Sequence, residues 1–160
     1  AAVRERTPAR LCILGQGELE GQLRQLIAAR GLGESISLAG FQANPWKFIA
    51  RADVFLLTSH YEGFGNVLIE AMAMGVAAVG SSSGAIPEVI GRPDLVFAEE
   101  NGGELTDILE QLMTNEAWRT EVEAYGVSRV KQWYTHDRIA ERLTRLWNEI
   151  LEGERGDSEG

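Results

Sequence analysis

Cysteine, histidine, proline and long apolar runs are all scarce in this chain. Its 160 residues include one cysteine, two histidines and four prolines. A single thiol, Cys12, excludes an intramolecular disulfide framework. Its place in the apolar run Leu11-Cys12-Ile13-Leu14 predicts a buried, inert side chain, which fits a reducing compartment. His60 and His136 stand apart, without the spacing of a metal-binding cluster. No apolar run nears the roughly 20 residues of a membrane span. The opening AAVRERTPAR lacks the apolar core of a signal peptide, and it lacks an initiator methionine, so a piece of a longer protein is expected. Positive charge is short as well. Fifteen Lys and Arg face 24 Asp and Glu, a net charge of −9, which argues against sequence-independent nucleic-acid binding. The excess lies late: residues 101–160 carry thirteen acidic and seven basic side chains, a pattern of solvated helix faces.

What is present is ordinary for a globular domain, 44% hydrophobic and 24% charged, with length enough for one core. Short apolar runs alternate with helical patterns. Strands are expected over residues 11–14, 35–39, 54–58, 76–79 and 95–98. Leu19, Leu23, Leu26 and Ile27 recur at helical spacing and Gly31 stops them; Asn44-Pro45 opens a short helix. Another short helix is expected over 86–90. Beyond Asn101 the pattern turns helical, ending on the face Ile139, Leu143, Leu146, Trp147 and Ile150. Residues 1–152 read as one domain and 153–160, GERGDSEG, as a disordered tail. Strand–helix alternation implies a doubly wound parallel sheet with helices on both faces, whose ligands bind outside the carboxyl ends of its strands.

Glu70 is the sole charge in the 25 residues between Glu62 and Glu88. The run around it, 67–74, is apolar on every face, so it reads as a helix buried all round. A buried carboxylate needs a partner: a cation, a set of donors, or the hydroxyls of a ligand. Eight positions earlier stands Glu62, followed by the glycine loop Gly63-Phe64-Gly65. The helix start at Gly65-Asn66 offers free N–H groups and a positive dipole end to a phosphate, and a tight turn that binds nothing is the alternative. A carboxylate accepts paired hydrogen bonds from vicinal hydroxyls, so Glu70 suits a ribose and Glu62 a sugar. A glycoside-hydrolase pair is the weaker reading, and a Glu70 that serves structure alone stays open. Gly15-Gln16-Gly17 after a strand is a weak nucleotide-loop signal. The Ser81-Ser82-Ser83-Gly84 turn either donates to a ligand or satisfies backbone. His60 reads as a loop residue, and Trp46, Trp118, Trp133 and Trp147, at helical positions, as packing.

The segment 59–75, SHYEGFGNVLIEAMAMG, resembles the signature of family 4 glycosyltransferases: Glu, seven residues, then a second Glu opening Glu-Ala-Met-Ala-x-Gly. Leu14-Gly15-Gln16-Gly17-Glu18-Leu19, Ala39-Gly40-Phe41, the run 52–57 and Pro87-Glu88-Val89-Ile90 extend the likeness over roughly residues 10–150. The resemblance implies a retaining enzyme of the GT-B fold, of which this chain is the C-terminal, Rossmann-like donor-binding half. It implies that Glu62 contacts donor sugar hydroxyls near the reacting carbon. Gly63, Phe64, Gly65, Asn66 and Val67 would face the sugar and diphosphate, Glu70 the ribose, Gly15 and Gly17 the nucleotide cleft, and Phe41 the base. The run 40–46 looks most like members that use UDP-linked hexoses or N-acetylhexosamines in cell-surface glycan synthesis. No metal cofactor is expected. The implied partners are the nucleotide sugar and an N-terminal acceptor-binding domain of the same protein, in the cytoplasm, with peripheral contact to the inner membrane face through a lipid-linked acceptor. This chain alone would be inactive. A nucleotide-sugar binding module without catalysis and a GT-B-related epimerase are the alternatives. The family's basic pair for the diphosphate lies upstream of the matched part; Arg4, Arg6 and Arg10 do not match it. Without the upstream central strand of the family, the first and third strands are expected to pair directly, in the order 2-1-3-4-5.

Overall fold

The computed structural model describes residues 1–156, with side chains to residue 151. In chain order the elements are α1 (Ala2–Arg6), β1 (Leu11–Leu14), α2 (Glu20–Ala29), β2 (Ile36–Gly40), α3 (Trp46–Ile49), β3 (Val54–Leu57), α4 (Asn66–Ala73), β4 (Ala77–Ser81), α5 (Ile86–Ile90), a 3-10 turn (Pro93–Leu95), β5 (Val96–Phe97), α6 (Gly102–Thr114), α7 (Glu116–Trp133) and α8 (His136–Gly156).

The core is built around β4. All five of its residues are buried, because β4 is the middle strand of the parallel set β3-β4-β5 and helices cover it. A strand shielded on both faces needs an unbroken apolar or small-residue run, which Ala77-Ala78-Val79-Gly80-Ser81 supplies. Leu68 and Met72 of α4, Ile86, Val89 and Ile90 of α5, Leu112 of α6 and Val122 of α7 close around it. Burying each of these aliphatic side chains contributes on the order of 1.5–3 kcal/mol. The α4–α7 crossing depends on Gly126, where an added Cβ would come within 3.1 Å of Met72. A smaller cluster, Ile49, Ala71 and Val76, fastens α3 to α4. Two asparagines start the late helices: Asn101 accepts from the Glu104 N–H and Asn115 from the Trp118 N–H, each at 3.1 Å.

The sheet departs from expectation. β1 pairs with β2 in a separate two-stranded sheet, and β1 does not pair with β3. The reason is the distribution of apolar contact. Among residues 1–48, Ser35 alone is buried, and the core begins at Ile49. With no apolar burial to draw the β1 layer onto β3, edge hydrogen bonds alone would have to do so. Each is worth only about 1 kcal/mol net, since both edges already bond to water. For the same reason Cys12 is exposed rather than buried.

Other differences are local. α1 was not expected; Arg6 ties it to Asp107 and Glu110 of α6, at 2.8 Å each. Asn44 makes no side-chain cap to α3. α8 continues to Gly156, into the segment expected as a tail, and 157–160 lie outside the described residues. Its apolar stripe, including Leu143 and Trp147, faces solvent.

Candidate functional site

Parallel pairing puts the C-terminal ends of β3, β4 and β5 on one edge, and their three loops are stitched together there. Ser81 Oγ donates to the Ser59 carbonyl at 2.7 Å, and Ser83 Oγ to the His60 carbonyl at 2.6 Å. The serine turn therefore satisfies backbone, the second of the two roles open to it. The Ala85 N–H reaches the Glu62 carbonyl at 3.4 Å. His60 Nδ1 lies 3.0 Å from Glu99 Oε2, beyond β5. That hydrogen bond, reinforced by the charges of Glu99 and Glu100, raises the His60 pKa above 6.5.

The loop holds Glu62 half-buried with both carboxylate oxygens engaged. Oε1 accepts the Gly65 N–H at 3.1 Å and Oε2 the Ser59 hydroxyl at 3.3 Å. Gly65 sits in the left-handed region, φ 81° and ψ 45°, so that α4 can start at Asn66. One N–H expected to be free for a phosphate is thus directed at Glu62. Asn66 and Val67 follow in the first turn, and the helix start carries no side-chain cap. Gly63 is exposed, and Phe64 stacks edge-to-face on Tyr134, the residue closing α7, with ring centroids 6.1 Å apart.

Glu70 is half-exposed, which corrects the expectation of a helix buried on every side. Leu68, Ala71 and Met72 face the core, while Ala73 is exposed and Val67, Ile69 and Glu70 are part-buried. The partner of Glu70 is neither a cation nor backbone. The indole N–H of Trp46 donates to Oε2 at 2.9 Å. Trp46, expected as packing, is 48% exposed. Its role was hidden in the sequence because 24 positions separate it from Glu70. The third group lies on the other sheet. The Gly15 N–H donates to the Gly40 carbonyl at 2.8 Å, joining the loops after β1 and β2. Gly17 is exposed, and Phe41 presents 70% of its surface to solvent. Among the described residues no hydrogen bond links Gly15, Gly17 or Phe41 to the Glu62 loop or α4. No group of three or more potential metal-binding side chains occurs among the described residues.

A family model described as "Glycosyl transferases group 1" matches residues 1–129. The chain belongs to this family. A similar sequence is the Campylobacter jejuni N-acetylgalactosamine-N,N'-diacetylbacillosaminyl-diphospho-undecaprenol 4-alpha-N-acetylgalactosaminyltransferase. It is 43% identical over 79 residues, 49% of this chain and 22% of the relative. The Escherichia coli serotype-specific mannosyltransferase WbdA is 30% identical over 166 residues, 99% of this chain and 20% of the relative. Among solved structures, Anabaena Alr3699/HepE in complex with UDP-glucose superposes with a TM-score of 0.75 at 25% identity, over 90% of this chain and 43% of that one. The group 1 chain thus spans 22% and 20% of the length of these curated relatives. Its fold, parallel strands with helices on both faces, is that of a Rossmann-like half of a GT-B glycosyltransferase.

Proposed function

We propose that residues 1–152 form the nucleotide-sugar-binding domain of a retaining, family 4 glycosyltransferase. The donor is a nucleoside diphosphate hexose or N-acetylhexosamine, with UDP as the nucleotide. The observation that carries this reading is the pair of carboxylates on α4 and its entry loop: Glu62 locked at the helix start by Ser59 and Gly65, and Glu70 facing outward with one oxygen uncommitted.

The roles follow from the chemistry. Glu70 accepts hydrogen bonds from the two ribose hydroxyls. The uncapped first turn of α4, at Asn66 and Val67, takes diphosphate oxygens through N–H groups and the helix dipole. Gly63 and Phe64 border the sugar, and Glu62 meets its hydroxyls near the anomeric carbon. Gly15 and Gly17 line the nucleotide side, and Phe41, exposed, stacks on the base. In transfer, the bond from the anomeric carbon to the diphosphate oxygen breaks and a bond to an acceptor hydroxyl oxygen forms. The proton leaves the acceptor, and the electron pair goes to the diphosphate. Donor binding at helix dipole and backbone needs no metal in this scheme, so EDTA leaves the affinity unchanged.

The acceptor half belongs to the remainder of a two-domain protein, so this chain alone binds donor without transferring it. Relatives named for transfer onto a diphospho-undecaprenol-linked sugar and for lipopolysaccharide core biosynthesis support cell-surface glycan synthesis, on the cytoplasmic face of the membrane, as the setting. No helix among the described residues is long and apolar enough to cross a membrane. The test is isothermal titration of the folded chain with UDP and GDP, repeated on Glu70→Ala. UDP binding lost in the variant supports the reading. Binding of GDP instead shifts the base. Equal affinity in wild type and variant removes Glu70 from the site.

A further inference from the structure

Trp46 and Glu70 form a contact that the proposed chemistry does not require and the core does not explain. The indole is half-exposed, so packing does not account for its position. Its N–H donates at 2.9 Å to Oε2 of a carboxylate that is itself half-exposed. Water would satisfy both groups equally well on an open surface. The arrangement is held from beneath. Ile49, three residues past Trp46 on α3, is buried against Ala71, the residue after Glu70 on α4, together with Val76. The main chains carrying the indole and the carboxylate are therefore fixed to each other by one small apolar cluster.

We propose that Trp46 is a positioning residue for nucleotide binding: it holds the Glu70 carboxylate in the orientation that receives the two hydroxyls of a ribose. The inference rests on the ribose role of Glu70 proposed above. A glutamate side chain gives up rotamer freedom when it is fixed. An indole that fixes it beforehand spares the ligand that cost, which is preorganisation. The choice of partner matters. An indole N–H has one donor, no acceptor and no charge. It leaves Oε1 and the second lone pair of Oε2 for the hydroxyls, and leaves the full negative charge that strengthens their hydrogen bonds. An arginine would occupy both oxygens and cancel that charge.

The test compares UDP with 2′,3′-dideoxy-UDP by calorimetry on the full chain, as wild type, as Trp46→Phe, and with the benzothienyl isostere of tryptophan at position 46. The isostere keeps the indole shape and lacks the N–H. Wild type should prefer UDP. Both variants should weaken UDP about 3- to 10-fold, the loss of about one hydrogen bond, and leave dideoxy-UDP unchanged, so the preference shrinks. Equal weakening of both nucleotides by the isostere would make Trp46 a merely structural residue and overturn the proposal. Unchanged or tighter UDP binding would overturn it too, the latter by showing that the indole competes with ribose. A wild type that shows no preference sinks the ribose reading itself, and this inference with it, before any variant is measured.

Discussion

Gly84 lies so close to Glu62 that a methyl group on it would overlap the Glu62 carbonyl oxygen. Its φ of +53° is also one that side chains rarely adopt. The loop after β4 therefore sets how near the Glu62 loop can sit. Gly84→Ala should push that loop outward and break the Ala85-to-Glu62 hydrogen bond. We expect a loss of about 1–3 kcal/mol in stability, read by denaturant titration, and a larger loss in donor affinity than in stability-matched core variants.

The His60–Glu99 contact should make the loop sensitive to pH. The folded pKa of His60 is raised above 6.5 by the Glu99 hydrogen bond and charge. Its contribution is therefore complete below the unfolded value and lost as pH rises through the folded one. Ring-proton NMR titration should place His60 above 6.5 in wild type and return it towards the ordinary value in Glu99→Gln. A His60 that titrates identically in both proteins would contradict the contact.

Arg92 should matter more for stability than its surface position suggests. It bonds Asp94 at 2.6 Å and Glu121 of α7 at 2.7 Å, and lies over the Tyr125 ring. The Arg92 hydrogen bond holds the Asp94 carboxyl below its ordinary 3.8, so that part of the stability is present above 3.8 and lost as pH falls through the lowered value. Arg92→Ala should cost about 1–2 kcal/mol at neutral pH, and less in acid where Asp94 is protonated. A loss that does not shrink in acid would assign the effect to the Tyr125 contact.

Ser59 offers a separate handle on Glu62. Ser59→Ala removes the hydroxyl from Oε2 and keeps the Gly65 N–H on Oε1. The sugar-bearing donor should lose about 3- to 10-fold in affinity, while UDP without a sugar should not change. Equal loss for both ligands would place Glu62 away from the sugar.

Much of this was legible in the sequence, for physical reasons. β4 is buried along its whole length, and 76–79 reads as such a strand because no residue there needs water. The helical pattern expected beyond Asn101 begins there, and Asn101 caps it through the Glu104 N–H three residues on. The loop at Glu62 is legible as the entry to α4, because Gly65 takes the left-handed conformation from which that helix starts. The failures involve contacts at long range. The environment of Glu70 depends on how α3 docks, so neither its exposure nor Trp46 shows in a window of seventeen residues. The gap between β1 and β3 depends on burial summed over 48 residues, which no strand pattern reports. Cys12 is exposed for the same reason, because an apolar run is a core strand only where something covers it.

The two walls of the proposed cleft differ in what holds them. Glu62 and Glu70 stand on a body with a closed core, whereas Gly15, Gly17 and Phe41 stand on a layer whose one buried residue is Ser35. In hydrogen exchange these should be two foldons, the amides of β1 and β2 opening far more readily than those of β4. A nucleotide that touches both walls would spend part of its affinity on closing the weaker one. Its arrival should then slow exchange most at Gly15 and Gly40, positions that contact neither carboxylate.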